Sequence, residues 1–283
     1  MSLGIAELRN KYLRHDKKFP HVWCPGCGIG IVLGALIRAV ERSGLEKDDI
    51  VLASGIGCSG RMPVYVDFNT LHTTHGRALT FATGVKLAKP ELNVITVMGD
   101  GDATAIGGNH FIHAARRNLD LTANIINNQI YGMTGGQFSP TTPYGANATT
   151  ASYGHVEHAF SIAELAVTAG ASFVARGTVY HARQLDSLIE KALRKTGFSV
   201  VEVISNCHVQ FGRRNQMPDP VTMLNWFKDN AVPVKKAREM SPDELGERFP
   251  TGVLADLEKP NYLNEYELIR ARAAENNKGG DRN

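Results

Sequence analysis

The chain has 283 residues, 43% hydrophobic and 21% charged, the balance of a globular enzyme with enough apolar side chains for a sizeable core. Its net charge is only +3 and no basic run is interleaved with aromatic residues, which excludes nucleic acid as the main partner. The opening stretch Met1–Pro20 is polar, and the longest apolar run, Ile29–Val40, is broken by Arg38, so neither a secretory signal nor a bilayer span is expected.

In chain order, a helical pattern over Gly28–Ser43 is followed by a strand at Ile50–Ala53 and a helix over Gly76–Ala88. A buried strand at Asn93–Met98 ends in Gly99-Asp100-Gly101. A helix over Asn109–Arg117 leads to a strand at Leu121–Ile126, which ends in Asn127-Asn128. Helices at Ile162–Thr168 and Ala182–Lys195 alternate with strands at Ser172–Arg176 and Ser199–Ile204. Such alternation predicts an α/β fold, a parallel sheet covered by helices on both faces, with ligands at the carboxyl ends of the strands. Residues 1–212 are expected as one domain. From Arg213 onward prolines at 218, 220, 233 and 242 break the pattern, so residues 213–283 read as an extension wrapping the core or a partner, with a disordered end at Asn276–Asn283.

Two constellations fall at strand ends. Gly99-Asp100-Gly101-Asp102 and Asn127-Asn128 suit a cofactor diphosphate: glycines admit backbone N–H groups, and a magnesium ion needs hard oxygen ligands. Asp100 can give a carboxylate, Asn128 an amide oxygen and Ile130 a backbone carbonyl. Taken alone, Gly-Asp-Gly is equally a turn and Asn-Asn a cap. The four cysteines form the second constellation. Cys24 and Cys27 stand in Cys-Pro-Gly-Cys, and Cys58 and Cys207 each follow a strand. A cytoplasmic location, where thiols stay reduced, points to metal ligation or reactive thiols, with a [4Fe–4S] cluster, zinc and unliganded thiols all open.

The pair Gly-Asp-Gly and Asn-Asn resembles the thiamine diphosphate signature. Trp23-Cys24-Pro25-Gly26-Cys27-Gly28, Gly57-Cys58-Ser59, His75-Gly76-Arg77, Gly99-Asp100-Gly101-Asp102 and Tyr131-Gly132-Met133-Thr134-Gly135-Gly136-Gln137 stand in the order seen in β subunits of the 2-oxoacid:ferredoxin oxidoreductases. The resemblance covers about residues 20–233. It implies the diphosphate-type thiamine diphosphate-binding fold and magnesium on Asp100, Asn128 and Ile130. It places Gly101 and Asp102 beside the diphosphate and Ile56, Gly57, Cys58 and Ser59 along it. His75, Gly132, Met133 and Thr134 also touch the cofactor. One [4Fe–4S] cluster on Cys24, Cys27, Cys58 and Cys207 is implied, with Cys58 between cluster and cofactor.

The implied chemistry is decarboxylation of a 2-oxoacid on the cofactor, transfer of the acyl group to coenzyme A, and passage of two single electrons through the cluster to ferredoxin. The reverse carboxylation is also open. No segment resembles the domain carrying the activating glutamate, so an α subunit is expected to supply it, in an (αβ)2 assembly. Pyruvate-type relatives carry Asn in a Tyr-x-Asn-Thr-Gly pattern where this chain has Met133, which turns the expectation from pyruvate toward 2-oxoglutarate. Arg61 is expected to grip the distal carboxylate bidentately; a bound phosphate or a surface salt bridge is the plainer role. Together with His75, Arg61 and Met133 form the expected catalytic set. His72 and His113 are expected to be structural. A pyruvate or branched-chain 2-oxoacid:ferredoxin oxidoreductase, a non-redox thiamine enzyme and a non-enzymatic zinc scaffold stand as the competing readings.

Overall fold

A computed structural model describes residues 3–280 of the chain. Its strands are β1 (Ile50–Ser54), β2 (Asn69–His72), β3 (Asn93–Gly99), β4 (Thr122–Asn127), β5 (Ile130–Tyr131), β6 (Gln137–Phe138), β7 (Phe173–Thr178), β8 (Ser199–Ile204), β9 (Ala231–Pro233) and β10 (Phe249–Asp256). Eight of them form one sheet in the order β2-β1-β3-β4-β8-β7-β10-β9, and β5 and β6 form a separate hairpin. The run from β2 to β7 is wholly parallel, so the expected architecture holds there.

Alternate residues of each strand serve opposite cores. Ile50, Leu52, Ile95, Val97, Val201 and Val203 enter one core. Val51, Ala53, Val94, Met98, Ala123 and Val200 enter the other. The helices Ile29–Ser43 and Ala182–Arg194 cover the first face. Arg38 grips Asp186 there with two bonds of 2.7 and 2.8 Å. Ala78–Ala88, Gly108–Arg117 and Ile162–Thr168 cover the second face. Each fully buried Val, Leu or Ile in these layers contributes roughly 1.5–3 kcal/mol.

The stretch from residue 213 forms regular elements of its own. It contributes the helix Pro220–Asn230, capped by Asp219, and it adds β10 antiparallel to β7 and β9 parallel to β10. A helix, Tyr262–Gly280, occupies most of the stretch expected to be disordered, and residues 281–283 lie outside the described residues. Among the described residues no helix is long and apolar enough to cross a membrane.

Candidate functional site

The sheet order places β1, β3, β4 and β8 side by side, so their carboxyl ends share one edge. Gly55–Ser59, Asp100–Asp102, Asn128–Thr134 and Cys207 follow those ends directly. A cavity of about 110 Å³ opens there, lined by Ile56, Gly57, Cys58, Ser59, His75, Asp100, Gly101, Asp102, Asn128, Ile130, Gly132, Met133 and Thr134. Every residue expected at the diphosphate and magnesium is therefore brought together. Tyr131, which sequence reasoning did not single out, lies against Gly101: a Cβ on that glycine would fall 2.3 Å from the Tyr131 ring.

Asp100 is buried, and Ser139 Oγ (2.6 Å) and Thr141 Oγ1 (2.5 Å) donate to its Oδ2. Burial pushes its carboxyl up to about 6, against the pull of these two hydroxyls. Its Oδ1 faces the Asn128 side-chain amide, whose Nδ2 donates to Asp100 Oδ1 (3.1 Å) and to the Ile130 carbonyl (2.9 Å). Turned over, the same amide offers its oxygen beside the other two, the orientation a cation among them would require. Adjacent ligands of an octahedral magnesium ion stand about 2.9 Å apart, so this donor set fits the ion.

Asp102 has a different task. It is 2% exposed, and its Oδ1 receives His75 Nδ1 (2.5 Å), Gly76 N (2.6 Å) and Ile56 N (3.3 Å). It thereby ties the loop after β1 to the turn that carries His75. A Cβ on Gly55 would lie 1.9 Å from Asp102 Oδ2, so only glycine fits beside this carboxylate.

A second cavity, of about 260 Å³, is lined by all four cysteines together with Trp23, His208 and Gln210. It shares Ile29, Cys58, Asn128, Gly132 and Met133 with the first. Cys27 N bonds to Cys24 O (3.0 Å), Trp23 Nε1 donates to Cys58 O (2.7 Å), and Asn206 Nδ2 donates to Gly26 O (2.9 Å). Burial pushes the Cys27 thiol up to about 12 and the Cys58 thiol up to about 11, and the neighbouring cysteines add to both. Thiolates are held here only if a cation compensates them. Among the described residues no three His, Cys, Asp or Glu side chains close on one ion-sized point; the cysteines stand around a space instead. Four cysteines around one space are a donor set that suits an iron–sulfur cluster or a zinc ion.

Met133 is half exposed and belongs to both cavity walls. Arg61 lies on the short helical segment Ser59–Val64 just past Cys58, half-buried, and lines neither cavity. No acidic partner is found for its guanidinium among the described residues. His72 Nδ1 is 2.9 Å from Ser54 Oγ, and Arg116 Nε donates to His113 Nδ1 at 3.2 Å. Neither histidine lines the cavities. His208, not singled out from sequence, has a buried Nδ1 without a partner beside the cysteines.

Residues 55–203 match the thiamine pyrophosphate enzyme family model for the C-terminal TPP-binding domain. The chain is 47% identical over 266 residues to the 2-oxoglutarate synthase subunit KorB of Methanocaldococcus jannaschii, covering 94% of this chain and 98% of that one. It is 56% identical over 234 residues to the KorB subunit of Archaeoglobus fulgidus, covering 83% of this chain and 84% of that one. Its fold is similar to that of a 2-oxoglutarate:ferredoxin oxidoreductase from Magnetococcus marinus, solved with 2-oxoglutarate, coenzyme A and succinyl-CoA bound. The TM-score is 0.83 and the identity 32%, over 94% of this chain and 90% of that one. With the diphosphate cradle and the cysteine cavity sharing one wall, the chain belongs to the thiamine pyrophosphate enzymes and, among them, to the KorB subunits of the 2-oxoacid:ferredoxin oxidoreductases.

Proposed function

We propose that this chain is the cofactor- and cluster-bearing β subunit of a 2-oxoglutarate:ferredoxin oxidoreductase. The enzyme converts 2-oxoglutarate and coenzyme A to succinyl-CoA and carbon dioxide, reversibly, and passes two electrons one at a time to ferredoxin. The carrying observation is the shared wall: Cys58 and Gly132 face both the diphosphate cradle and the cysteine cavity, so electrons would cross only that wall.

Thiamine diphosphate, when bound, supplies the nucleophilic carbon and the electron sink for decarboxylation. The chain's own residues bind and orient it. Asp100, Asn128 and the Ile130 carbonyl hold magnesium against the diphosphate, while Asp102 fixes His75 at the cavity wall. Cys24, Cys27, Cys58 and Cys207 hold one [4Fe–4S] cluster. Arg61, which has no acidic partner among the described residues, reads the distal carboxylate of 2-oxoglutarate, and Met133 shapes the pocket where pyruvate-type enzymes carry Asn. An α subunit supplies the activating glutamate, in an (αβ)2 assembly working in the cytoplasm.

The test is anaerobic purification with the neighbouring α subunit. About four irons, four sulfides and one thiamine diphosphate per chain are expected, with 2-oxoglutarate-dependent reduction of ferredoxin. Stoichiometric zinc, or 2-oxoacid oxidation by this chain alone, would overturn the reading.

A further inference from the structure

Arg176 and Glu202 are buried inside the sheet and line neither cavity. They stand side by side on β7 and β8, and Arg176 Nε donates to Glu202 Oε2 at 2.8 Å. Glu202 shares its face of β8 with Val200, a member of the second core. Two charges taken out of water there lose much of their mutual attraction to desolvation, and an apolar pair would join the strands as well. Stability alone does not account for the pair, but its remaining bonds do.

The Arg176 guanidinium also donates to Ser161 Oγ (2.9 Å) and the Pro250 carbonyl (3.5 Å), and Ala163 N donates to Glu202 Oε2 (3.2 Å). Glu202 Oε1 is left for Asn127, the last residue of β4, whose Nδ2 donates to it at 2.8 Å. A carboxylate paired with a guanidinium only accepts, so the Asn127 amide has one orientation, with Oδ1 turned the other way. That Oδ1 accepts from Gln129 N (3.2 Å), while Thr142 Oγ1 donates to the Gln129 carbonyl (2.6 Å). Clamped from both sides, Gln129 keeps a φ of +62°, in the left-handed region that L side chains rarely enter. It stands between Asn128 and Ile130, two of the three members of the magnesium donor set. Rotation about φ at 129 would swing the Ile130 carbonyl away from Asn128.

We propose that the buried Arg176–Glu202 pair positions the magnesium site from behind, acting through Asn127 to hold the left-handed turn at Gln129. The proposal rests on the magnesium site of the function proposed above. Neither charge touches the ion or the cofactor. Arg176 fixes the carboxylate, the carboxylate fixes the Asn127 amide, and the amide fixes the backbone between two ligands.

The experiment strips the αβ holoenzyme of thiamine diphosphate and magnesium, then titrates the cofactor at stepped magnesium concentrations, with binding read by calorimetry. The double variant Arg176→Met with Glu202→Met leaves no orphaned charge and should keep a Tm close to wild type. Its half-saturating magnesium concentration should rise about tenfold, because the turn at Gln129 loses its support. Adding Gln129→Gly should recover most of that loss, since glycine takes a positive φ unaided. Should the methionine pair not fold, Glu202→Gln reads the same link. Its amide can turn either way, so the half-saturating magnesium should rise about threefold, again with rescue by Gln129→Gly. Wild-type magnesium dependence in the folded variant overturns the proposal, and so does a loss that Gln129→Gly leaves untouched. Wild-type enzyme whose thiamine diphosphate binding ignores magnesium overturns the magnesium site of the proposed function instead.

Discussion

Around the diphosphate cavity the buried carboxylates already have partners: Asp100 is held by Ser139 and Thr141, and Asp102 by His75, Gly76 and Ile56. Asp102 Oδ2 is the exception. Around the cysteine cavity the balance is reversed. His208 Nδ1, in the cavity wall, is buried without a partner among the described residues, and burial holds the thiols of Cys27, Cys58 and Cys207 protonated. Buried polar groups are normally satisfied. The difference is that the protein's own donors hold the carboxylates of the first site, whereas nothing in the chain offsets the cost of ionising the thiols of the second.

The largest expected effect separates the two sites outright. Cys207→Ser should reduce iron to background and abolish electron transfer to ferredoxin, because a hydroxyl is a poor substitute for a thiolate ligand. Magnesium-dependent thiamine diphosphate affinity should stay within about threefold of wild type, as for sites with separate partners. Calorimetric titration of the cofactor alongside iron analysis reads both. A variant that loses cofactor binding with its iron would break the comparison.

The next effect concerns charge in the diphosphate site without its metal. Asp100 ionises at about 6 in the folded chain, against the usual 3.8, chiefly because it is buried. Its protonated form thus stabilises the fold fully at low pH, and that contribution is lost as pH rises through 6. The difference is on the order of 3 kcal/mol. The metal-free chain should therefore lose a few degrees of Tm relative to Asp100→Asn between about pH 4 and pH 7. Added magnesium and thiamine diphosphate should cancel the loss by supplying countercharge. Parallel melting profiles of the two proteins would show that Asp100 carries no buried charge.

How much of this was legible depended on whether the signal was local. β4 and β8 are buried along their whole length, and their β-branched residues stand out in the sequence despite Asn124 and Glu202. The helix Ile162–Thr168 was readable to the residue. β2 was not, since Asn-Thr-Leu-His is a polar, half-exposed edge strand. β9 and β10 were hidden among prolines and pair in a mixed pattern at the far edge. In the site, Asp100, Asn128 and the cysteines were recognisable from spacing. The partners of Asp100 were not, because Ser139 and Thr141 lie 39 and 41 residues away. Nothing local marks Asp102 as the tie between two loops, and His208 lacked any motif beyond its neighbour Cys207.

Arg61 lines neither cavity but follows, by one turn, the cysteine both share. If it pairs with the distal carboxylate of 2-oxoglutarate, removing it leaves a desolvated carboxylate unpaired, which costs roughly 2 kcal/mol or more. Arg61→Ala should then lower kcat/KM for 2-oxoglutarate about thirtyfold while barely changing that for pyruvate. Equal losses for both substrates would assign Arg61 to the cofactor or the fold. That result would leave the preference for 2-oxoglutarate to Met133.

The smallest effect tests whether the diphosphate site works by charge or by shape. Asp100→Ala removes the one carboxylate facing the Asn128 amide and the Ile130 carbonyl, and it leaves the hydroxyls of Ser139 and Thr141 without their shared acceptor. The backbone of the loop is otherwise anchored through Asp102, whose three bonds do not involve Asp100. The cradle should therefore persist while the ion is held less well. Thiamine diphosphate affinity should fall tenfold or more, about 1.4 kcal/mol. Affinity for thiamine without its diphosphate should hardly change, since that ligand needs no magnesium. Asp100→Asn separates the two contributions: its amide oxygen can still accept from Ser139 and Thr141 but brings no charge. If Asn restores the affinity, shape dominates and the cation matters little. If Asn behaves like Ala, the negative charge at this position is what the diphosphate site requires. Unchanged affinity in both variants would remove Asp100 from the magnesium site altogether.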